Sequence, residues 1–172
     1  MIAAKKIHII GEVGSGKTYL AKRLSEALNL PHYQLDNIVW SRGIKKDTRN
    51  PDELRDEILN NLVKKDSWII EGVHYKWVIN SLSSADMIIY LDLKVYQRDK
   101  QIISRFIKQR LGMEKGNFKQ SFAYLYRLIR WSHNFEKVRK PKIAEFLASF
   151  EDKILYFNNN EEAIKKLTQL RE

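Results

Sequence analysis

Apolar residues fall along this chain in two rhythms. Unbroken runs at Ile7-His8-Ile9-Ile10, Trp68-Ile69-Ile70, Met87-Ile88-Ile89-Tyr90-Leu91 and Ile154-Leu155-Tyr156-Phe157 predict buried strands. A shorter run from Tyr33 to Leu35 predicts another strand, with Asp36 at its end. The second rhythm is helical. Leu20, Leu24, Ala27 and Leu28 recur at helix spacing until Asn29 and Pro31 stop them. Asn50-Pro51-Asp52-Glu53 offers Asn50 as N-cap, Pro51 at the first helical position and acids in the first turn, so a helix is expected to about Lys64. Residues 41–50 read as a polar loop. Three further groups, Ile102, Ile103, Phe106 and Ile107, then Phe122, Leu125 and Ile129, then Ile143, Phe146, Leu147 and Phe150, predict three helices. The order β-α-β-α-β-β-α-α-α-β-α, with strands apolar rather than alternating, predicts an α/β fold around a mostly parallel five-stranded sheet covered on both faces.

Length and charge refine this picture. The chain has 172 residues, which fits one domain. Its net charge is +10, and the excess sits in one place. Residues 94–142 carry 14 Lys and Arg against three acids, Asp99, Glu114 and Glu136, while the remaining 123 residues sum to −1. A near-neutral frame therefore carries a basic helical insertion, and such an insertion suits a small polyphosphate as well as a nucleic acid. The absence of cysteine excludes disulfides, thiolate metal sites and cysteine nucleophiles. The apolar run ending at Gly11 is too short for a signal-peptide core, and no run approaches the ~20 residues of a membrane span, so a cytoplasmic protein with no membrane partner is expected.

The chemistry begins where the first strand stops. Gly11-Glu12-Val13-Gly14-Ser15-Gly16-Lys17-Thr18 fits G-x-x-x-x-G-K-[ST] at every fixed position. Glycines let the backbone wrap a phosphate chain and aim N–H groups at its oxygens, Lys17 neutralises their charge, and the Thr18 hydroxyl suits Mg²⁺. The helix that starts near Lys17 adds its positive end. Gly11, Val13, Gly14, Ser15, Gly16, Lys17, Thr18 and the adjoining Tyr19 form the candidate nucleotide-binding set, with ATP and Mg²⁺ as the expected cofactors. A glycine turn joining strand to helix is the plainer alternative.

Further residues extend the pattern: Leu35-Asp36 with Trp40 after it, Trp68-Ile69-Ile70-Glu71-Gly72, Ile88-Ile89-Tyr90-Leu91-Asp92, Arg105 with Arg110, and Trp131-Ser132-His133-Asn134-Phe135. In this order the chain resembles, over nearly its whole length, the adenylate-kinase-like P-loop proteins. Within them it is most similar to the group called DNA topology modulation, or FlaR-related, proteins. The resemblance implies a three-layer P-loop NTPase fold with a helical lid insertion. It also implies that Asp36 contacts a phosphoacceptor or takes its proton, and that Glu71 shares with Thr18 the holding of the metal. Glu71 stands where adenylate kinases carry Asp, and Val73-His74-Tyr75-Lys76 replaces their acceptor-binding sequence, which counts against AMP as acceptor. Asp92 reads as a metal holder or a helix cap, and Trp40 as an acceptor-site wall or core.

Phosphoryl transfer leaves charge on equatorial oxygens that guanidinium groups stabilise. In the resembling kinases arginines flanking the lid do this, which nominates Arg105 first, then Arg110, Arg127 and Arg130, with Arg139 beyond them. Residues 111–117, with Gly112 and Gly116, read as the lid or hinge, and the lack of a Cys or His cluster excludes a zinc lid. His133 is expected to pack. Asn158, Asn159 and Asn160 hold an adenine ring or form a turn.

Two function classes follow. One is an ATP-dependent phosphotransferase that binds a nucleoside triphosphate and passes the γ-phosphate to a small-molecule phosphoacceptor, with Lys17, Asp36, Arg105, Arg110, Arg127 and Arg130 as its catalytic residues. The other is a nucleic-acid-binding protein whose loop is a switch or ATPase. Residues 118–142 interleave Phe118, Phe122, Tyr124, Tyr126, Trp131 and Phe135 with seven Lys and Arg, a composition that suits stacking on bases.

Overall fold

The structure is a computed structural model that describes residues 4–41, 43, 47–114 and 121–169. Five parallel strands form its sheet: β1 (Lys6–Gly11), β2 (His32–Gln34), β5 (Trp68–Gly72), β6 (Met87–Leu91) and β7 (Ile154–Phe157), in the order β2-β5-β1-β6-β7. Two very short strands, β3 (Trp40–Ser41) and β4 (Thr48–Arg49), pair apart from it. The helices are α1 (Lys17–Leu28), α2 (Leu35–Val39), α3 (Asp52–Val63), α4 (Ile79–Ser84), α5 (Val95–Arg110), α6 (Phe122–Leu147) and α7 (Asn160–Gln169), with a 3₁₀ segment over Ala148–Lys153.

The apolar strands are explained by two cores. Ile7, Ile9, Ile69, Ile89 and Leu91 pack with Leu20 and Leu24 of α1 and Ala163 and Leu167 of α7. Ile10, Trp68, Ile70, Ile88 and Tyr90 face the other way, onto Leu59, Leu82, Phe135, Ile143 and Leu147. Successive strand residues thus alternate between two buried faces, which is why the runs are almost wholly apolar, with His8 of β1 a fully buried exception. This is the three-layer α/β arrangement the sequence predicts, with a five-stranded parallel sheet. No described helix is long and apolar enough to cross a membrane.

The differences are local and have physical causes. Leu35 begins a short helix instead of ending β2, and it brings Asp36 into that helix's first turn. Asn50 does not cap α3, whose N-cap is Pro51. Its backbone N–H donates to the Val39 carbonyl and its side-chain amide to the Ile38 carbonyl, 2.8 Å away, while Ser41 donates to its side-chain oxygen at 2.6 Å. Asn50 therefore latches β3 and β4 onto α2, and the expected polar loop is a small ribbon. The last two helices expected in the basic stretch are one, because α6 continues through Pro141. Proline removes one helical hydrogen bond. Phe135, Ile143 and Leu147 lie on one buried side of this helix, and that shared burial outweighs the loss. Helix α4 escaped the apolar pattern because it is short and buries only Ser81 and Leu82.

Ser81 has a partner in β1. Its Oγ lies 2.9 Å from Nδ1 of His8 and donates to the Val78 carbonyl, so His8 Nδ1 carries the proton and donates to Ser81. His8 is fully buried, and burial lowers its pKa to about 3. The neutral ring is stable in the fold above pH ~6.5, where the unfolded chain is also neutral, and below that the unfolded chain gains a proton that the fold refuses. Between pH 7 and 4 His8 alone should therefore remove ~3 kcal/mol of stability. Urea unfolding at pH 7, 5.5 and 4 checks this: His8→Gln should start less stable and lose visibly less across the series than the wild type.

Candidate functional site

The site is built at the carboxyl ends of β1, β5 and β6, where open parallel sheets bind ligands. Between β1 and α1 the chain turns at Gly14 (φ 76°) and Gly16 (φ 82°), in the left-handed region that favours glycine. A Cβ at Gly14 would meet the Arg98 carbonyl and Ile102 at 2.8 Å, and one at Gly16 would collide with the Asn160 amide. Gly16 is the N-cap of α1, and no side chain caps the helix. The first N–H groups of a helix lack intrahelical acceptors, so this open end is a cradle for anionic oxygen. Ser15 is fully buried, and its hydroxyl has no partner.

Lys17 is almost entirely buried, with Nζ donating to the Glu12 carbonyl at 2.8 Å. The Thr18 hydroxyl donates to Oε1 of Glu71 at 2.7 Å. Glu71 stands beside Ile9 of β1 in the parallel register and is buried. Burial pushes Glu71 up and Lys17 down, and the attraction between the two charges opposes both shifts. Among the described residues no group of three or more His, Cys, Asp or Glu side chains is placed to hold a metal ion. The hydroxyl and carboxylate of Thr18 and Glu71 nevertheless fit Mg²⁺, which keeps waters and takes the rest of its shell from phosphates. His32 Nε2 lies 3.9 Å from Glu71. Burial, then Lys22, lowers the His32 pKa, so near neutral pH this is a polar contact and no ion pair.

The other nominated residues are distributed unevenly. The side chain of Asp36 is exposed, 4.0 Å from His74 Nε2, and its charge reaches Lys17. Burial lowers the His74 pKa, Asp36 opposes that, and Arg139 adds to it. Arg139 donates weakly to the Val73 carbonyl at 3.5 Å, over the end of β5, with its guanidinium 5.6 Å from the Trp131 ring centre. Arg105 is exposed on α5, and its charge bears on Lys17, Glu71 and Tyr124. Arg127 stacks on Tyr124. Arg110 stacks on Phe122, and among the described residues no contact joins Arg110 or Arg130 to the phosphate loop. The structure thus brings Lys17, Thr18, Glu71, Asp36 and Arg105 together and leaves Arg110 and Arg130 on the outer helices. Tyr19 is half-exposed, and its hydroxyl donates to Glu161 of α7 at 3.0 Å. The lid residues Lys115, Gly116 and Asn117, with Phe118 and Lys119 of the aromatic-basic stretch, lie outside the described residues.

Several roles are corrected. Asp92 holds Lys140 of α6 at 2.6 Å and does not cap α5, whose N-cap is Lys94. His133 does not pack: it is exposed and bonds Asp99 at 2.7 Å, tying α6 to α5. Asn160 donates to the Ser15 carbonyl at 3.1 Å and so braces the loop, while Asn159 caps α7 by accepting from the Glu161 N–H.

Arg98 was missed, because one arginine among 14 basic residues carries no mark in sequence. It is 1% exposed, pairs with Glu136 at 2.8 Å, and donates to the Ser132 hydroxyl and carbonyl and to the Leu93 carbonyl. A signal existed in Glu136, one of only three acids in the basic stretch.

The fold that carries this site recurs among P-loop kinases. Shikimate kinase from Acinetobacter baumannii, solved in complex with shikimate, superposes with a TM-score of 0.58 at 16% identity over 97% of this chain and 92% of that one. Shikimate kinase from Bacteroides thetaiotaomicron gives 0.58 at 16% identity over 98% and 99%. A gluconokinase from Sinorhizobium meliloti 1021 gives 0.56 at 14% over 96% and 90%. At these identities the likeness establishes a P-loop kinase-like fold. By sequence, the chain is 32% identical over 87 residues to the uncharacterized protein YqaC of Bacillus subtilis (strain 168), across 51% of this chain and 48% of that protein. The chain thus spans about half the length of the curated relative it matches. No protein-family model matches the chain.

Two substitutions separate the cradle from its support. Gly16→Ala should abolish nucleotide binding in a calorimetric titration, and adding Asn160→Gly should not restore it, because the left-handed backbone remains strained. Arg98→Met should cost about 1–3 kcal/mol in urea unfolding, since it leaves the Leu93 and Ser132 carbonyls without the buried donor that serves them.

Proposed function

We propose that the protein is an ATP-dependent, Mg²⁺-requiring phosphotransferase that moves the γ-phosphoryl group to a hydroxyl of a small acceptor. The observation that carries this reading is the convergence on one phosphate loop of buried Lys17, the Thr18–Glu71 pair and, beside them, Asp36 with His74. A loop that only bound nucleotide would have no use for that second, acidic and imidazole-bearing edge. The kinase neighbours, one solved with a small hydroxylated ligand, support a small-molecule acceptor.

In this reading the loop amides and Lys17 hold the phosphate chain, and Thr18 with Glu71 hold the metal. Bound Mg²⁺ supplies charge neutralisation on the β- and γ-phosphate oxygens. Asp36 orients the acceptor hydroxyl and takes its proton as the oxygen attacks phosphorus. The bond to the bridging oxygen breaks, and ADP leaves with that electron pair. Arg105 reaches over from α5 to the charge developing on the transferred group, and Arg127, whose charge bears with that of Arg105 on Tyr124, is its second. Arg110 and Arg130 enter only if the insertion closes further. Catalysis then rests on position and electrostatics. The residue pattern is the support for placing the chain with the DNA topology modulation group.

A nucleic-acid role draws no support from the comparisons. Arg110, Arg127 and Arg139 already stack on Phe122, Tyr124 and Trp131, which occupies cations and rings that bases would need.

Lys17→Ala should weaken ATP binding at least ~100-fold while leaving the melting temperature within a few degrees, and retained tight binding would sink the assignment. With the wild type, a phosphoacceptor screen using ATP and Mg²⁺ should yield one or more phosphorylated hydroxyl compounds. Asp36→Asn should then lower kcat ~100-fold with ATP affinity unchanged.

A further inference from the structure

Asp36 is loosely held for a base. It lies in the first turn of the five-residue helix α2, its side chain is 65% exposed, and among the described residues no hydrogen bond fixes its carboxylate. A general base works from a set position, and a misplacement of about 1 Å can cost ~100-fold in rate. One group stands near enough to supply that position. Nε2 of His74 lies 4.0 Å from Oδ1 of Asp36.

His74 is itself held on both sides along the chain. Arg139 of α6 donates to the Val73 carbonyl at 3.5 Å, and the Tyr75 ring meets Phe146 of the same helix edge-on at 5.6 Å. The imidazole rests near Trp77, ring centres 5.2 Å apart, and Trp77 carries the Arg55 guanidinium 4.5 Å from its own ring centre. Arg55 is 7% exposed, and Asp52 and Asp56 each hold it at 2.7 Å. A guanidinium desolvated in this way penalises any arrangement that strips it of partners, so it keeps Trp77 in one place, and Trp77 the imidazole.

The protonation of the ring follows from its surroundings. Burial lowers the His74 pKa, and of the neighbouring charges Asp36 opposes this while Arg139, Arg55 and Arg49 add to it, so the ring is neutral near pH 7. A neutral imidazole carries one N–H and a carboxylate only accepts, so the nitrogen that faces Asp36 is the one with the proton. At 4.0 Å that N–H is short of a hydrogen bond. Catalytic contacts in ligand-free sites are often long in this way and tighten when substrate arrives.

The geometry points to His74 as the positioning residue of Asp36: when the acceptor binds, Nε2–H closes on Oδ1 and leaves Oδ2 aimed at the acceptor hydroxyl. This rests on the phosphotransferase reading above. The hydroxyl proton passes to Oδ2, its oxygen bonds to phosphorus, and the electron pair of the breaking bond leaves with ADP. His74 gains and loses no proton in this step.

Two experiments test the assignment, and the first needs no acceptor. In ligand-free protein made with isotope-labelled histidine, the imidazole resonance that disappears in His74→Phe belongs to His74, and its titration midpoint is read in the wild type and in Asp36→Asn. The midpoint should fall in Asp36→Asn, because the carboxylate favours the protonated ring and the amide does not. An unchanged or higher midpoint overturns the inference. The second experiment measures turnover of MgATP with the compounds that the phosphoacceptor screen identifies. His74→Phe keeps a ring against Trp77 and loses the N–H, so kcat should fall at least ~10-fold. ATP affinity and acceptor KM should stay within about threefold of the wild type. His74→Gln places an amide N–H at similar reach and should recover most of kcat. With Asp36→Asn already in place, His74→Phe should cause no further loss, because His74 acts through that carboxylate. A kcat that His74→Gln does not recover, or a full additional loss in the double variant, overturns the inference. If the midpoint falls as expected but the wild type phosphorylates no compound, the phosphotransferase reading is what has failed, and the inference goes with it.

Discussion

Everything about this site depends on keeping one lysine charged where water is scarce. Lys17 is nearly buried, and burial pulls it toward the neutral form. Glu71, Glu12 and Asp36 pull it back. Glu12 does so from within the loop itself, whereas Glu71 can do so only because the sheet sets β5 against β1 in the observed parallel register, with Glu71 opposite Ile9. The register in turn needs both faces covered, because uninterrupted apolar strands would otherwise meet solvent. The two cores that flank the sheet are thus the means by which a cation is held at the loop, ready for a polyanion.

The basic insertion meets the frame through a second set of charges. Arg98, Glu136, Lys140 and Asp92 form a ladder from the end of β6 to the middle of α6, and Asp99 with His133 adds a rung between α5 and α6. The sealed Arg98 guanidinium contributes little net stability through its pair but penalises any arrangement that strips it of partners, so it specifies one position for the two helices, while the half-exposed pairs around it add little. That position matters because Arg98 and Ile102 also press on Gly14, and Arg105 one turn further along reaches the Lys17–Glu71 pair. The net charge of +10 is therefore a sum over unlike parts: some cations clamp helices, some stack on rings, and few face the loop.

The sequence was most informative where neighbours in the chain are neighbours in space. The strands β1, β5, β6 and β7, the glycine loop and α1 are legible because burial on two faces and left-handed glycines leave contiguous marks. It was least informative where an intrinsic signal lost to packing. Pro141 marks a helix boundary on local grounds, yet α6 runs through it because Phe135, Ile143 and Leu147 share one buried side. Asn50 carries the signature of a helix cap, yet its side chain serves Ile38 and Ser41 instead. His133 is expected to pack, yet its ring is exposed and bonds Asp99. For Asn50 and His133 the competing partner lies at least nine positions away, and for Pro141 the competing burial is against sheet residues such as Ile70 and Ile88, far back along the chain.

The sequence by itself determined the sheet, the order of the layers and the phosphate loop, since each is written in a local pattern of side-chain volume, polarity and glycine. Only the tertiary structure decided which charges act together. Lys17, Asp36, Glu71, His74, Arg105 and Arg139 are spread over 123 positions, five elements and one loop, and they are brought toward one another because parallel strands deliver their carboxyl ends, and the segments that follow them, to one edge. The same geometry set Arg98 apart from Arg105 although they lie two turns apart on one helix, one sealed against Ser132 and the other open to the site. A charge in a sequence has a sign, and its neighbours and its dielectric surroundings exist only after folding.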